Sequence, residues 1–301
     1  MRAKYVFMRL ARRMLPDALA YRLLSRDLLP VTALAEMSRT YSGLLHDYSI
    51  PVRDRVIAEC GPGTYNSAAF GLFRQGAARI LFQEPRLRGR DYGRWKARML
   101  GLWRELDRDG PASGPPPEAI LGPDTWDRRF MDWQDCPAGA VPCAADSVDL
   151  ILSHHVLEHI GDIAAVFREQ MRVLKPGGFL LHIVDLRDHY FAYPLEMLTF
   201  SRRVWEGILT SPARGSGYQN RLRADDYLSL LAEAGFAGIS WKALAADTRE
   251  LERVGVRLHP DFRGKSREVL ETTRIALIAR KPGSGDSAAS DARHGEGPVN
   301  P

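Results

Sequence analysis

Residues 55–63 read RVIAECGPG. The apolar run has the length of a strand, and it ends directly in two glycines around Pro62. Glycine at the end of a strand lets the backbone turn sharply and approach a ligand at the start of the following helix. Outward from this stretch, strand and helix patterns alternate. Residues 67–74 suit a helix and 79–83 (RILFQ) a second strand. Residues 92–106 suit a second helix, with Trp95, Met99, Leu102 and Trp103 at helical spacing. A short third strand is expected at 129–132, a fourth at 148–153 (VDLILS), a helix at 163–174 stopped by Pro176, and a fifth strand at 179–184 (FLLHIV). A long aromatic- and arginine-rich segment follows, then a helix at 224–234 closed by Gly235 and late strands near 239–244 and 275–279. Near-continuous apolar strands alternating with helices imply a parallel sheet, covered on both faces and joined by right-handed crossovers. Ligands of such a sheet bind at the carboxyl ends of its strands.

The chain has 301 residues, 45% hydrophobic and 26% charged, the make-up of an ordinary globular protein. Its net charge of +5 comes from scattered arginines. Arg12 and Arg13, like Arg86, Arg88 and Arg90, read as solvated faces, so no nucleic-acid partner is expected. Cys60, Cys136 and Cys143 lack metal-ligand spacing and point to free thiols in a reducing compartment. No apolar run reaches eighteen residues and the start lacks a signal peptide's apolar core, so a cytoplasmic location is expected. Residues 5–47 read as short helices broken at Pro16 and Pro30. The basic opening stretch suits a helical cap on the main domain, or alternatively a helix lying at a membrane surface. GPASGPPP at 110–117 is linker-like, and the tail from 282 to 301 reads as disordered.

Glu84 ends the second strand, where a carboxylate in dinucleotide-binding folds grips the ribose hydroxyls. The third glycine of a dinucleotide fingerprint is absent, because Asn66 stands there. Glycine loop, ribose clamp and acidic Glu59 together suit a nucleoside without phosphates. Four motifs in order, ECGPG, the strand-end Glu84, DSVDLILSHHVLEHI and RVLKPGG, resemble those of class I S-adenosylmethionine (SAM)-dependent methyltransferases. The resemblance covers roughly residues 56–185. It implies an α/β, Rossmann-like fold with a mostly parallel seven-stranded sheet, helices on both faces and an N-terminal helical cap. It implies SAM as cofactor, with Gly61 and Gly63 under its methionine and ribose parts, Glu59 nearby and Glu84 on the ribose. Asp135, or else Asp132, would reach the adenine amine, and Ser153 and His154 would flank the sulfonium. RVLKPGG reads as scaffold.

His154, His155 and His159 crowd the end of the fourth strand, and His189 follows the fifth. Because the SAM methyl is already activated, such an enzyme must mainly align the nucleophile and remove its proton, for which His159, His155 or His189 is the candidate base. Asp188 is the candidate partner of His189. His155, Glu158 and His159 also resemble the ExxEH ligands of magnesium-dependent terminal RNA 2'-O-methyltransferases, although His155 replaces a carboxylate; Glu158 more simply caps or pairs at the helix start, and no metal is expected. Residues 186–223 read as an acceptor lid in which Tyr190, Phe191, Tyr193, Phe200 and Trp205 stack on an acceptor and Arg221 and Arg223 hold it, or as a helical subdomain whose aromatics pack together. The expected layout is an N-terminal extension at 1–50, a methyltransferase domain at 51–281 and the tail. The expected reaction is methyl transfer to an oxygen, less readily a nitrogen, of a small molecule or glycan. The competing reading is a SAM-fold protein that binds without catalysis.

Overall fold

The structure, a computed structural model, describes residues 2–14, 29–63, 65–85, 91–189, 192–210, 218–283 and 285. Pro16, Arg86, Arg88, Arg90, Tyr190, Phe191 and nearly all of the tail expected to be disordered lie outside these residues. The seven strands are β1 (Val56–Cys60), β2 (Arg79–Gln83), β3 (Met131–Gln134), β4 (Val148–His154), β5 (Leu174–Asp185), β6 (Ala237–Ala246) and β7 (Thr272–Arg280). They form one sheet in the order β3-β2-β1-β4-β5-β7-β6. The first five are parallel, and β7 runs antiparallel between β5 and β6. Strand order reverses between β1 and β4, so a crevice opens beyond their carboxyl ends. The glycine loop leaves β1 there, and His154 ends β4 beside it.

Helices cover both faces, as the alternating pattern requires. On one side α2 (Val31–Asp47), α3 (Tyr92–Leu106) and a 3-10 helix at Ala68–Gln75 bury Tyr41, Phe70, Trp95 and Met99 against Ile57, Ile80 and Phe82. On the other, α4 (Ile163–Val173) and α5 (Ala224–Glu233) bury Phe167 and Tyr227 against Ile151, Leu180 and Leu277. Asp91 caps α3 by accepting from the Arg94 backbone N–H, which explains the sharp start of that helix.

Three elements depart from expectation. Residues 68–75 are 3-10, not α, and the third strand lies at Met131–Gln134, two residues beyond its expected place. The fifth strand begins at Leu174, so LKPGG belongs to it instead of turning the chain ahead of it. The peptide groups around Gly177 are satisfied by the chain beyond β7: Gly177 N donates to Lys281 O at 3.0 Å and Lys281 N to Gly178 O at 2.8 Å. Pairing with β4 accordingly shifts register between Val148 and Leu150.

Close packing of the 3-10 helix against α2 and α3 depends on Gly71. A Cβ there would collide with the Ser38 hydroxyl and approach Leu106 Cδ1 to 2.7 Å. Gly71→Ala is therefore expected to destabilise the chain by about 1–3 kcal/mol, with Ser38→Ala partly restoring it. Urea unfolding of the single and double variants checks this, and a neutral single variant would contradict the packing.

A third, smaller core forms outside the sheet. Tyr193, Leu195, Met197, Phe200 and Trp205 pack with Leu251 and Val254 of α6 (Thr248–Gly255) and with Tyr5 of α1 (Arg2–Met14). Arg221 is buried and donates to the carbonyls of Phe200, at 2.6 Å, and Met197, at 3.2 Å. Arg223 is fully buried and equally committed to main-chain carbonyls. The aromatics Tyr193, Phe200 and Trp205 thus pack on one another, and the buried Arg221 and Arg223 tie backbone together instead of standing open to an acceptor. Tyr5 and Arg9 of α1 both bond the buried carboxylate of Asp188. The N-terminal helix is thereby fastened to this subdomain as a cap. Among the described residues no helix is long and apolar enough to cross a membrane.

Candidate functional site

Gly61 and Gly63 both adopt left-handed backbone, with φ of +66° and +68°. A Cβ at Gly61 would also come within 2.6 Å of Val156 Cγ2, so this turn accepts only glycine. Gly61 N donates to Gln83 O at 2.8 Å, which ties the loop to the end of β2. The next residue there is Glu84, whose Oε2 accepts from Gly63 N at 3.0 Å. Glu84 thereby closes the loop from the side. Glu59 is buried, and both of its carboxylate oxygens accept from Ala69 N at the start of the 3-10 helix. Burial pushes its carboxyl up to about 8, against the opposing pull of those backbone donors.

The loop forms one wall of a pocket of about 390 Å³ lined by Glu59, Gly61, Pro62, Gly63, Asn66, His154 and His155. Its opposite wall comes from Leu29 and from Ala33 and Met37 of α2. These last three were not among the residues singled out from the sequence: they lie 24 to 32 residues before Gly61, and only the packing of α2 and the residues just before it brings them there. The volume falls within the range of small-ligand sites.

His154 and His155 follow one another out of β4, their rings 4.3 Å apart, and His155 has a φ of +55°. Burial lowers His154 to about 3 and His155 to about 4, so both imidazoles are neutral at physiological pH. Neither His154 Nδ1 nor His155 Nε2 has a hydrogen-bond partner. His159 sits one turn further on and shares a bond with the Tyr218 carbonyl through Nδ1 at 2.7 Å. Its ring lies 4.7 Å from that of His189, and burial lowers it to about 4. His189 itself is lowered by burial, and its backbone N–H donates to Gln219 Oε1 at 3.2 Å. The expected partner of His189, Asp188, gives its carboxylate to α1. Glu158, expected to cap or pair, does neither: it is buried and both carboxylate oxygens lack a hydrogen-bond partner.

Residues 119–182, which hold β3, β4, α4 and much of β5, match the family model described as a methyltransferase domain. Together with a sheet of five parallel strands and an antiparallel seventh inserted before the sixth, this decides the fold. The fold is the Rossmann-like one of class I methyltransferases. A 48-residue stretch is 38% identical to the ubiquinone/menaquinone biosynthesis C-methyltransferase UbiE of Desulfotalea psychrophila, covering 16% of this chain and 20% of that one. The chain therefore spans only a fifth of the curated relative it matches. Among solved structures, an S-adenosylmethionine dependent methyltransferase from Mesorhizobium loti is 17% identical over 79% of this chain and 96% of its own, with a TM-score of 0.44. Phosphoethanolamine N-methyltransferase 2 of Haemonchus contortus, in complex with S-adenosyl-L-methionine, is 14% identical over 81% of this chain and 52% of its own, with a TM-score of 0.46.

Within the methyltransferase fold the remaining candidates separate. Asp135 is exposed just beyond β3, whereas Asp132 accepts from the neighbouring Trp133 N–H at 2.9 Å. Ser153 is fully buried, its hydroxyl 2.8 Å from His182 Nδ1 on β5, and offers the pocket no side chain. The three cysteines are free; burial drives the Cys60 thiol up to about 12, which leaves it inert.

Proposed function

We propose that the protein is a SAM-dependent methyltransferase that transfers a methyl group to an oxygen of a small-molecule or glycan acceptor. The observation that carries this reading is the pair of left-handed glycines at the switch point, closed by Glu84 and opening onto the pocket between the loop and α2. SAM would lie with its methionine and ribose parts over Gly61 and Gly63, its ribose hydroxyls on Glu84 and its adenine toward Asp135 at the end of β3. His154 and His155 would stand on the sulfonium side.

Uncharged imidazoles in the wall of that pocket support an acceptor that must lose a proton. His155 lines that pocket and its Nε2 has no hydrogen-bond partner; His159 and His189 would stand behind it. The described part of 186–223 would close the acceptor side, a reading supported by Tyr218 and Gln219, which both reach the histidine cluster. A base of low basicity contributes modestly, so alignment of the acceptor in line with the methyl group supplies most of the acceleration.

Glu84→Ala is expected to weaken SAM by about 1–3 kcal/mol, through loss of charge-assisted bonds to the ribose and of the brace on Gly63, while the fold persists. Titration calorimetry with SAM and S-adenosylhomocysteine measures this, and unchanged affinity would remove the placement of the cofactor. Turnover of SAM to S-adenosylhomocysteine with sugars, lipids and small phenols as trial acceptors then separates an enzyme from a protein that only binds.

A further inference from the structure

Beside the cofactor pocket, Glu158, His159 and His189 converge so that one ligand atom from each lies within 4.8 Å of the others. We propose that these three side chains bind a divalent transition-metal ion. Four observations carry the assignment.

Glu158 is 3% exposed and neither of its carboxylate oxygens has a hydrogen-bond partner. A buried carboxylate left in that condition is costly, and native structures almost always satisfy such a group with a donor or an ion. Secondly, His159 is already arranged as a ligand. Its Nδ1 lies 2.7 Å from the Tyr218 carbonyl, which can only accept, so the proton resides on Nδ1 and the Nε2 lone pair is left for a metal. Thirdly, the elements supporting the three groups are firmly held. Glu158 and His159 lie in the 3-10 turn Leu157–His159, where Asn220 donates to Leu157 O at 2.8 Å and to Ile160 O at 3.1 Å, while Asn220 N donates to Glu158 O at 2.9 Å. His189 is positioned by Gln219, the residue before Asn220. Finally, the donor set is selective. Two imidazoles and one carboxylate suit zinc, iron(II) or cobalt(II), whereas magnesium and calcium prefer oxygen alone. Ligand atoms around an ion bonded at roughly 2.0–2.2 Å stand about 3–4 Å apart, within the 4.8 Å that bounds the separations of these three.

The trio differs from the ExxEH-like set read in the sequence: His189, from beyond β5, takes the place of His155, which lines the cofactor pocket. An ion at this trio would keep positions open toward the acceptor side; that it would hold an acceptor oxygen there rests on the methyltransferase reading, whereas the binding of the ion does not.

The test uses the full chain without an affinity tag, freed of metal by chelator and titrated with cobalt(II) without SAM, followed by zinc competition. One cobalt per chain is expected, with visible ligand-field bands that zinc abolishes. Glu158→Gln and His189→Asn should each weaken cobalt at least tenfold while keeping the wild-type circular dichroism and SAM affinity. Absence of saturable cobalt and zinc binding overturns the site, as does binding that both folded variants retain, or binding of magnesium in preference to either metal. Should one variant fail to fold, the other decides. Cobalt binding without SAM binding would leave the metal site standing and remove the proposed function; SAM binding without cobalt would do the reverse.

Discussion

Arg223→Met is expected to be the most damaging single substitution considered, lowering stability by about 3–5 kcal/mol or leaving the chain insoluble. Arg223 is fully buried in front of α5. Its Nη1 donates to Leu186 O at 2.8 Å, its Nε to Val269 O at 3.3 Å, and its Nη2 to Val269 O and Leu270 O at 3.1 Å and to Thr272 O. One guanidinium thus joins the exit of β5, the short helix Arg267–Glu271 and the first residue of β7. Burial lowers Arg223 to about 10, still far above neutrality, so it remains a cation in the interior. Methionine fills similar volume but strands up to four carbonyls. Each hydrogen bond to a charged group is worth about 1.5–3 kcal/mol and removal of the desolvated charge recovers part of that, which places the net loss in the stated range. Typical domains have only about 5–15 kcal/mol in reserve. Urea denaturation gives the number, and a methionine variant within 1 kcal/mol of the wild type would show that these carbonyls have other partners. Arg223→Lys should fall between the two, because an ammonium cannot reach three backbone segments at once.

The same residue shows where sequence reading stops. An arginine in the motif NRLR looks like a hand extended to an anionic acceptor, and nothing local distinguishes it from an interior tie. Its partners lie 37 residues earlier and 46 to 49 residues later, the later ones on a short helix and strand start whose approach depends on β7 entering the sheet between β5 and β6. Asp188 is a stronger instance, since the side chains that engage it belong to α1, 179 and 183 residues away. Features set by local rules were legible. The span of α3 follows from apolar residues at helical spacing. Glu84 meets the glycine loop because parallel pairing of β1 with β2 puts Cys60 beside Gln83, and the next residue in each chain is the site. The orphaned carboxylate of Glu158 was invisible, because the sequence shows that a glutamate starts a helical turn but not that the turn faces inward. The start of β5 was misplaced for a related reason: Pro176 and Gly177 are helix-stopping residues anywhere, and only pairing with Lys281 makes them part of a strand.

Stability is expected to peak near pH 6.5 and to fall on acidification, by about 3 kcal/mol between pH 6.5 and pH 5. The sign follows from which state holds the proton. His154 and His182 are lowered to about 3, and His155 and His159 to about 4, by burial above all. Below the ordinary histidine value of about 6.5 the unfolded chain takes up protons that the folded chain refuses, so each group removes roughly 1.4 kcal/mol per pH unit until its folded value is reached. Glu59, raised to about 8, and Glu158, raised well above the carboxylate range, act in the opposite sense, because the folded chain retains their protons after the unfolded chain has lost them. At pH 6.5 the half-protonated histidines of the unfolded chain balance the two glutamates, and the net uptake grows from zero there to about two protons at pH 5, which integrates to about 3 kcal/mol. Above pH 6.5 only the glutamates remain in play, and stability declines as Glu59 is driven to ionise. His182 isolates the acid limb. It lies inside the sheet away from the pocket, its Nδ1 2.8 Å from the Ser153 hydroxyl and its Nε2 3.0 Å from Gln170 Oε1. With Nε2 donating to the amide oxygen, Nδ1 must accept from Ser153, and protonation would destroy that bond as well as charge a fully buried ring. Gln at this position has one acceptor and one donor group to offer the same two partners without titrating. Thermal melts from pH 5 to 8, with chelator present so that no ion holds His159 deprotonated, should show the acid limb of His182→Gln shallower by about one proton and the alkaline limb unchanged. An acid limb of undiminished slope in that variant would mean that His182 is already protonated in the folded chain, and the Ser153–His182–Gln170 relay would have to be read in the opposite direction.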